Sequence, residues 1–227
     1  MTSNEALSVL FECANKLETK SETWFSAAIY YHTFFKECCC SAVFDKYLVA
    51  ATCLYLSSKA EEDHLKLRDI INIFYETIHK KTLQTLDDYF NLRESIVNCE
   101  LFVSRVLHFK FNCEQPIKYL NSYWRSVKHW LSKEKIDFAS LTTTSKSFLR
   151  DFCRHPNCIT YKGKHIALSI IDMCLDVSNL KTSVPSEWKH ELCEDFSRET
   201  VTAIIADITW VNENKLSTNN SFKGKSQ

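Results

Sequence analysis

Residues 45–62 read DKYLVAATCLYLSSKAEE, and this stretch decides the fold that the sequence predicts. No charged side chain occurs between Tyr47 and Ser58, and apolar side chains fall on every face of a helix rather than on one stripe. A helix of this kind is buried on all sides. The stretch is too short and too rich in small polar residues to span a membrane. The sequence therefore predicts the central helix of a helical bundle over residues 45–60.

The apolar run ends abruptly in charge. Lys59, Glu61, Glu62 and Asp63 place four charged side chains within five positions. The buried helix is therefore expected to reach the surface at this end. Glu61 and Glu62 are interpreted as the solvated end of the helix.

The composition favours an all-α protein. The 227 residues include only two glycines and three prolines, far fewer turn-forming residues than a sandwich or barrel needs. The 28 acidic and 28 basic residues cancel, so no general attraction to nucleic acid or to an anionic membrane is expected. No run of 18 apolar residues occurs, and the protein is expected to be soluble.

The eleven cysteines indicate free thiols rather than a disulfide framework. Their number is odd, and the adjacent Cys38, Cys39 and Cys40 cannot all be paired in ordinary disulfide geometry. The N-terminal residues lack the basic start and apolar core of a secretory signal. We expect an intracellular, reducing compartment.

Two groups of residues suggest chemistry, but neither is complete. Cys153, His155 and Cys158 have no fourth metal ligand nearby in sequence. The cysteine triplet with His32 lacks an oxyanion donor and an orienting group. We therefore predict no catalytic residue, no metal and no cofactor.

Helical periodicity predicts ten helices in two groups of five, and the second group repeats the first. At a constant offset of 117 residues, Val49 and Leu54 match Ile166 and Ile171. At this offset Lys59 is aligned with Asp176, so the central helix of the second group lacks the charged end of residues 59–63. The predicted domains are residues 1–112 and 113–213, followed by a disordered polar tail over 214–227. The later helices are predicted at about 63–77, 89–109, 116–131, 138–154, 162–178, 186–195 and 197–213.

Two segments carry a resemblance to a known family. LYLSSKAEEDHLKLRDIINIFY, at 54–75, resembles the run Lys-x-Glu-Glu followed by Arg-Asp-Ile-Ile-Asn of the transcription-type cyclins. IVNCELFVSRVLHFKF, at 96–111, resembles the fifth helix of these proteins with its glutamate, Glu100 here. The resemblance extends over residues 5–213 and implies two tandem five-helix cyclin-box repeats.

The resemblance implies a non-catalytic regulatory subunit that forms a heterodimer with a cyclin-dependent kinase. Such a subunit activates the kinase by holding its C helix in the active position. In the family, the residues in the positions of Lys59 and Glu100 pair with each other and contact the kinase. The apolar contact surface implied around them consists of Leu56, Ala60, Ser104, Leu107, Phe109 and Phe111. The family also implies residence in the nucleus.

Other interpretations remain open at this point. Without the family pattern, Lys59 and Glu100 are two unrelated surface charges on different helices. A general transcription factor that grips promoter DNA shares the tandem fold, so a factor that bridges DNA and protein is an alternative. The neutral net charge predicts weak DNA binding at physiological salt. A helical scaffold without kinase activation would leave the charged end of the central helix unexplained.

Overall fold

The computed structural model describes residues 3–38, 43–132 and 136–223, and these residues contain helices and no strand. The all-α prediction is confirmed. Two short 3-10 helices lie at Pro156–Ile159 and Lys181–Ser183. The α-helices are α1 Ser3–Lys16, α2 Ser21–Glu37, α3 Lys46–Ala60, α4 Leu67–His79, α5 Leu86–Val106, α6 Pro116–Trp130, α7 Phe138–Phe152, α8 Gly163–Val177, α9 Trp188–Leu192 and α10 Arg198–Lys223. None of the described helices combines the length and apolar character that a membrane crossing requires.

The chain divides into two compact units, Met1–Cys113 and Glu114–Gln227. The sequence predicts this boundary after residue 112, one residue before the boundary in the structure. Helices α1 to α5 belong to the first unit, and α6 to α10 belong to the second. The central helices α3 and α8 each have 15 residues, and both of their ends differ by the predicted offset of 117. The internal repeat is therefore visible in the helix boundaries.

Helix α3 is the centre of the first unit, where it packs against α1, α2, α4 and α5. Residues 49–54 and 56–58 are all buried, which confirms the prediction of burial on every face. Ala50, Cys53 and Leu54 have no exposed surface at all. The N-terminal end is capped by Asp45, whose side chain accepts a hydrogen bond from the backbone N–H of Tyr47.

In the second unit, α8 packs against α6, α7 and α10. Its polar face carries Asp172, a carboxylate that is almost fully buried. Lys189 Nζ lies 2.6 Å from Asp172 Oδ2, and Lys181 Nζ lies 3.5 Å from Asp172 Oδ1. A buried carboxylate needs such partners. The two lysines therefore tie the segment around α9 to the central helix.

Several helix boundaries differ from the predictions. Helix α4 begins at Leu67 instead of residue 63, and α5 spans Leu86–Val106 instead of about 89–109. Helix α9 spans only Trp188–Leu192. The predicted disordered tail begins at residue 214, whereas α10 continues to Lys223. No glycine or proline interrupts that segment before Gly224, so nothing in it ends the helix sharply. Residues 224–227 lie outside the described part of the chain, as do Cys39 and Cys40 of the triplet.

Candidate functional site

The two charged residues that the sequence singles out meet in the first unit. Lys59 stands in the last turn of α3, and Glu100 stands on α5. Lys59 Nζ donates a hydrogen bond of 2.6 Å to Glu100 Oε1. The lysine side chain is 48% exposed and the glutamate side chain is 22% exposed, so a binding partner can reach both. The interpretation of Lys59 and Glu100 as unrelated surface charges is therefore wrong.

The surroundings of Lys59 keep its ammonium group charged. Partial burial by itself would lower the pKa of Lys59. The hydrogen bond that Lys59 donates to Glu100, the charge of Glu100 and the nearby Tyr55 outweigh that effect and raise the pKa of Lys59 above its ordinary value. The Tyr55 ring lies one turn earlier on α3, with its centroid 4.0 Å from Lys59 Nζ. The C-terminal end of a helix also favours a positive charge.

Residues 59–63, which we call the α3 tip, are held by the beginning of α2. Asp63 Oδ2 accepts a hydrogen bond of 2.8 Å from the backbone N–H of Lys20 and one of 2.7 Å from the hydroxyl of Thr23. Helix α2 has no capping side chain of its own at Lys20, so Asp63 supplies the acceptor from a distant part of the chain. This role explains why α4 does not begin at Asp63.

The side chain of Glu61 is engaged, contrary to its interpretation as part of a solvated helix end, whereas the side chain of Glu62 is exposed as expected. Glu61 Oε1 accepts a hydrogen bond of 2.7 Å from the hydroxyl of Ser26, which is fully buried on α2. Glu62 has a left-handed backbone with φ of 51°, and its carbonyl accepts a hydrogen bond of 2.8 Å from Lys20 Nζ. The α3 tip is therefore a rigid support for Lys59.

The end of α5 forms the other side of the site. His108 and Phe109 both have a left-handed backbone, with φ of 52° and 56°. The Phe109 N–H donates to the carbonyl of Ser104, and the His108 N–H donates to the carbonyl of Arg105, which is the Schellman pattern of helix ends. This turn leaves the Phe109 side chain 60% exposed.

Phe111 follows this turn and is held by α2. The hydroxyl of Tyr30 donates a hydrogen bond of 2.6 Å to the Phe111 carbonyl. The two rings meet edge to face, with centroids 5.8 Å apart. Phe111 is half-buried, and its ring also lies 6.4 Å from the ring of Phe109. Phe111 is thus held against α2, and Phe109 remains exposed beside it.

The structure separates the predicted apolar contact residues into two groups. Ala60, Phe109 and, in part, Phe111 lie at the surface. The other three are at most 6% exposed and support the site from beneath: Leu56, Ser104 and Leu107. Ser104 shows how, because its hydroxyl donates a hydrogen bond of 2.7 Å to the carbonyl of Glu100 itself.

Sequence reasoning missed part of the exposed surface of α5. Phe90, Val97 and Leu101 are 56%, 44% and 51% exposed, and we call them the exposed α5 stripe. Their spacings of seven and four residues place them on one helix face beside Glu100. The buried stripe of α5 runs through Ile96, Cys99 and Val103. A second row of apolar residues outside this buried stripe was the signal available in the sequence. Exposed apolar patches of this kind are typical of protein–protein contacts.

Comparison with known proteins places this site in a family context. The family described as Cyclin, N-terminal domain, matches residues 3–112, which include α3 and α5. Cyclin-T1-4 of Arabidopsis thaliana is 30% identical over 187 residues, which are 80% of this chain and 33% of that relative. Cyclin pch1 of Schizosaccharomyces pombe is 26% identical over 174 residues, which are 73% of this chain and 48% of that relative. The chain therefore spans a third to a half of the length of these relatives.

The solved structures agree in fold. The crystal structure of the yeast RNA Pol II CTD kinase CTDK-1 complex contains a chain that superposes with a TM-score of 0.71 at 18% identity, covering 91% of this chain and 63% of that chain. A chain of the CAK complex of Chaetomium thermophilum superposes with a TM-score of 0.63 at 12% identity, covering 91% of this chain and 61% of that chain. Residues 3–112 thus match the family described as Cyclin, N-terminal domain, over just under half of the chain, and most of the chain is similar in sequence to Cyclin-T1-4 and Cyclin pch1.

Proposed function

We propose that the chain is a non-catalytic regulatory subunit that binds a cyclin-dependent kinase through its first unit and activates it. The Lys59–Glu100 ion pair on the rigid α3 tip is the observation that carries this proposal. A kinase becomes active when its C-helix glutamate reaches the lysine that holds the ATP phosphates. The C helix has two discrete positions, and a partner that binds only the inward one shifts the population toward it.

The geometry of the pair suits a backbone contact with such a helix. A lysine ammonium group has three donors, and Glu100 Oε1 accepts one of them. Lys59 is therefore held in position while it offers donors to carbonyl oxygens of the kinase. Ala60, Phe109 and the exposed α5 stripe would cover the contact and exclude water from it. In that setting, the ion pair contributes orientation and specificity more than affinity.

For the identity of the kinase, we propose a partner of the cyclin-dependent kinase 10 type. The support is the resemblance of QPIKYLNSYW, at 115–124, to cyclin-Q, the activating partner of that kinase; cyclin-L is the second resemblance. Most of this segment is buried in α6, so the resemblance concerns the packing of the second unit and not a contact surface. The solved complexes name a second candidate, a kinase of the RNA polymerase II C-terminal domain.

Affinity capture from nuclear and cytoplasmic extracts tests the proposal. The native chain is compared with the double variant Lys59→Glu, Glu100→Lys, which keeps an internal ion pair but reverses the charges offered to a partner. The matched control reverses another exposed ion pair of the same unit, Glu12 and Lys16 on α1, whose charged atoms are 2.9 Å apart. Circular dichroism shows that each variant is folded.

The expected result is that the native chain and the α1 control retain a cyclin-dependent kinase, whereas the site variant loses it. Mass spectrometry of the eluate then distinguishes a kinase of the cyclin-dependent kinase 10 type from a kinase of the RNA polymerase II C-terminal domain. Equal retention by the site variant, or no cyclin-dependent kinase in any eluate, contradicts the proposal. A tagged full chain is expected in the nucleus, and binding to promoter DNA is expected to be weak at physiological salt.

A further inference from the structure

The second unit holds a cluster of three potential metal ligands that is independent of the proposed kinase site. His165 lies in the first turn of α8, whereas Cys193 and Asp195 follow α9. One ligand atom from each residue, a ring nitrogen, the sulfur and a carboxylate oxygen, lies within 4.8 Å of the other two. Sequence reasoning did not bring these residues together, because His165 comes from a different helix.

The distances suit a small tetrahedral metal ion. Cys193 Sγ lies 3.2 Å from Asp195 Oδ1, and His165 Nε2 lies 3.6 Å from the same oxygen. Zinc bonds of about 2.0–2.3 Å in a tetrahedron separate neighbouring N, O and S ligands by about 3.4–3.6 Å. Small side-chain rotations would therefore bring all three atoms to bonding distance of one ion.

The burial of the cluster also favours a ligand. His165 Nε2 is buried and has no hydrogen-bond partner, which is uncommon for a buried polar atom. Cys193 is buried as well, at 5% exposure. Asp195 is 47% exposed, so an ion can enter from its side. A bound cation would satisfy the imidazole nitrogen and would use a cysteine that is otherwise closed off from solvent.

Two lysines occupy the other side of the carboxylate. Lys164 Nζ lies 2.6 Å from Asp195 Oδ2, and Lys162 Nζ lies 3.7 Å from the same atom. These contacts use Oδ2, whereas His165 and Cys193 face Oδ1. The lysines therefore orient the carboxylate for a ligand on the Oδ1 side. Their positive charges also oppose a divalent cation, which limits the affinity.

We propose that His165, Cys193 and Asp195 bind one zinc ion, with water as the fourth ligand. The mixed set of nitrogen, sulfur and oxygen suits zinc, whereas magnesium and calcium prefer oxygen ligands alone. The thiol of Cys193 releases its proton to solvent on binding, because the thiolate is the ligand form. The ion would join the start of α8 to the segment before α10 and stabilise the second unit.

The test uses the full chain, reduced and stripped of metal with a chelator. Zinc is added and measured by equilibrium dialysis with elemental analysis, and cobalt is added as a spectroscopic probe of a thiolate ligand. Because the chain has eleven cysteines, the variant Cys193→Ser is compared with the control Cys113→Ser from the first unit. Thermal unfolding with zinc, and with magnesium instead, reports on stabilisation.

We expect one zinc site in the native chain and in Cys113→Ser, with a cobalt–thiolate band and a rise in Tm that magnesium does not produce. Cys193→Ser is expected to lose the band and to bind zinc more than about 100-fold more weakly.

Asp195→Asn, at an exposed position, repeats the test should Cys193→Ser fail to fold. Lys164→Met removes an opposing charge and is expected to tighten zinc binding. Equal zinc affinity in the native, Cys193→Ser and Asp195→Asn chains would overturn the proposal.

Discussion

At the residue scale, the Lys59–Glu100 pair is expected to matter more for binding than for folding. Both side chains are partly exposed, and exposed ion pairs contribute at most about 1 kcal/mol to stability. In an interface, loss of one partner leaves the other charge buried and unpaired, at a cost of about 2–5 kcal/mol. Lys59→Ala is therefore expected to weaken kinase binding by about 30-fold or more, while Tm changes little.

Calorimetry with purified kinase and a thermal melt of the free chain measure these two effects. Lys81→Ala, which removes an exposed lysine between α4 and α5, serves as the control and is expected to change neither quantity. A similar loss of affinity in the Lys59 and Lys81 variants would show that the effect of Lys59 is only a change in net charge.

The distinction between surface and supporting residues gives a second prediction. Leu101 is half exposed on α5, whereas Leu107 is buried. Leu101→Ala is expected to change the free energy of unfolding by less than about 0.5 kcal/mol and to weaken kinase binding. Leu107→Ala removes core packing and is expected to lower the free energy of unfolding by about 2–5 kcal/mol. Urea denaturation and calorimetry separate the effects, and unchanged kinase binding by Leu101→Ala would exclude the exposed α5 stripe from the contact.

At the element scale, the orientation of the α3 tip depends on its connection to α2. Asp63 accepts hydrogen bonds from the Lys20 N–H and from the buried Thr23 hydroxyl. Asp63→Ala leaves a buried hydroxyl unpaired and is expected to lower the free energy of unfolding by about 1–3 kcal/mol. Asp63→Asn keeps an acceptor oxygen, so its free energy of unfolding is expected to fall less than that of Asp63→Ala.

Urea denaturation measures both Asp63 variants beside the control Asp69→Ala, which removes an exposed carboxylate from the first turn of α4. Equal stability of Asp63→Ala and Asp69→Ala would contradict the role assigned to Asp63. A kinase affinity that falls in parallel with stability would indicate that the connection to α2 also positions Lys59.

At the scale of the whole molecule, buried thiols in both units predict a loss of stability at alkaline pH. Burial raises the pKa of Cys13 and of Cys113 to about 11, and that of Cys174 to about 12, from an ordinary value of 9.0. Above that ordinary value the unfolded chain releases these protons, whereas the folded chain still binds them. The unfolded state then binds fewer protons, so the free energy of unfolding falls as pH rises.

The decline is expected to begin near pH 9 and to continue toward pH 11. Urea denaturation under reducing conditions at pH 7.5, 9 and 10 measures it. Below about pH 9.5 most lysines and tyrosines of the unfolded chain keep their protons, so the thiols dominate the start of the decline. Burial also raises the pKa of Tyr30 and of Tyr123, so these tyrosines add to the decline toward pH 10. Cys113→Ala is expected to show a shallower decline than the native chain. Equal stability of the native chain at pH 7.5 and 10 would contradict the prediction.

Much of the fold follows from local patterns in the chain. The ten α-helices were predicted because apolar residues recur at helical spacing and only a few glycines and prolines interrupt them. The boundaries were less predictable where a side chain serves another element, as Asp63 does for α2. Of the candidate site, Lys59 and Glu100 were identified through the family pattern, whereas Phe90 and Leu101 of the exposed α5 stripe were not.

The sequence by itself determined that residues 45–60 form a buried central helix, because a helix that is apolar on every face must be covered on every face. It also indicated the repeat, since Val49 and Leu54 match Ile166 and Ile171 at one constant offset, and the bounds of α3 and α8 have the same offset. Only the tertiary structure decided that Lys59 meets Glu100 across 41 residues of chain, that Leu107 is covered while Leu101 is not, and that His165 lies beside Cys193. The physical reason is that exposure and contact depend on neighbours far away in sequence, which periodicity within one helix does not specify.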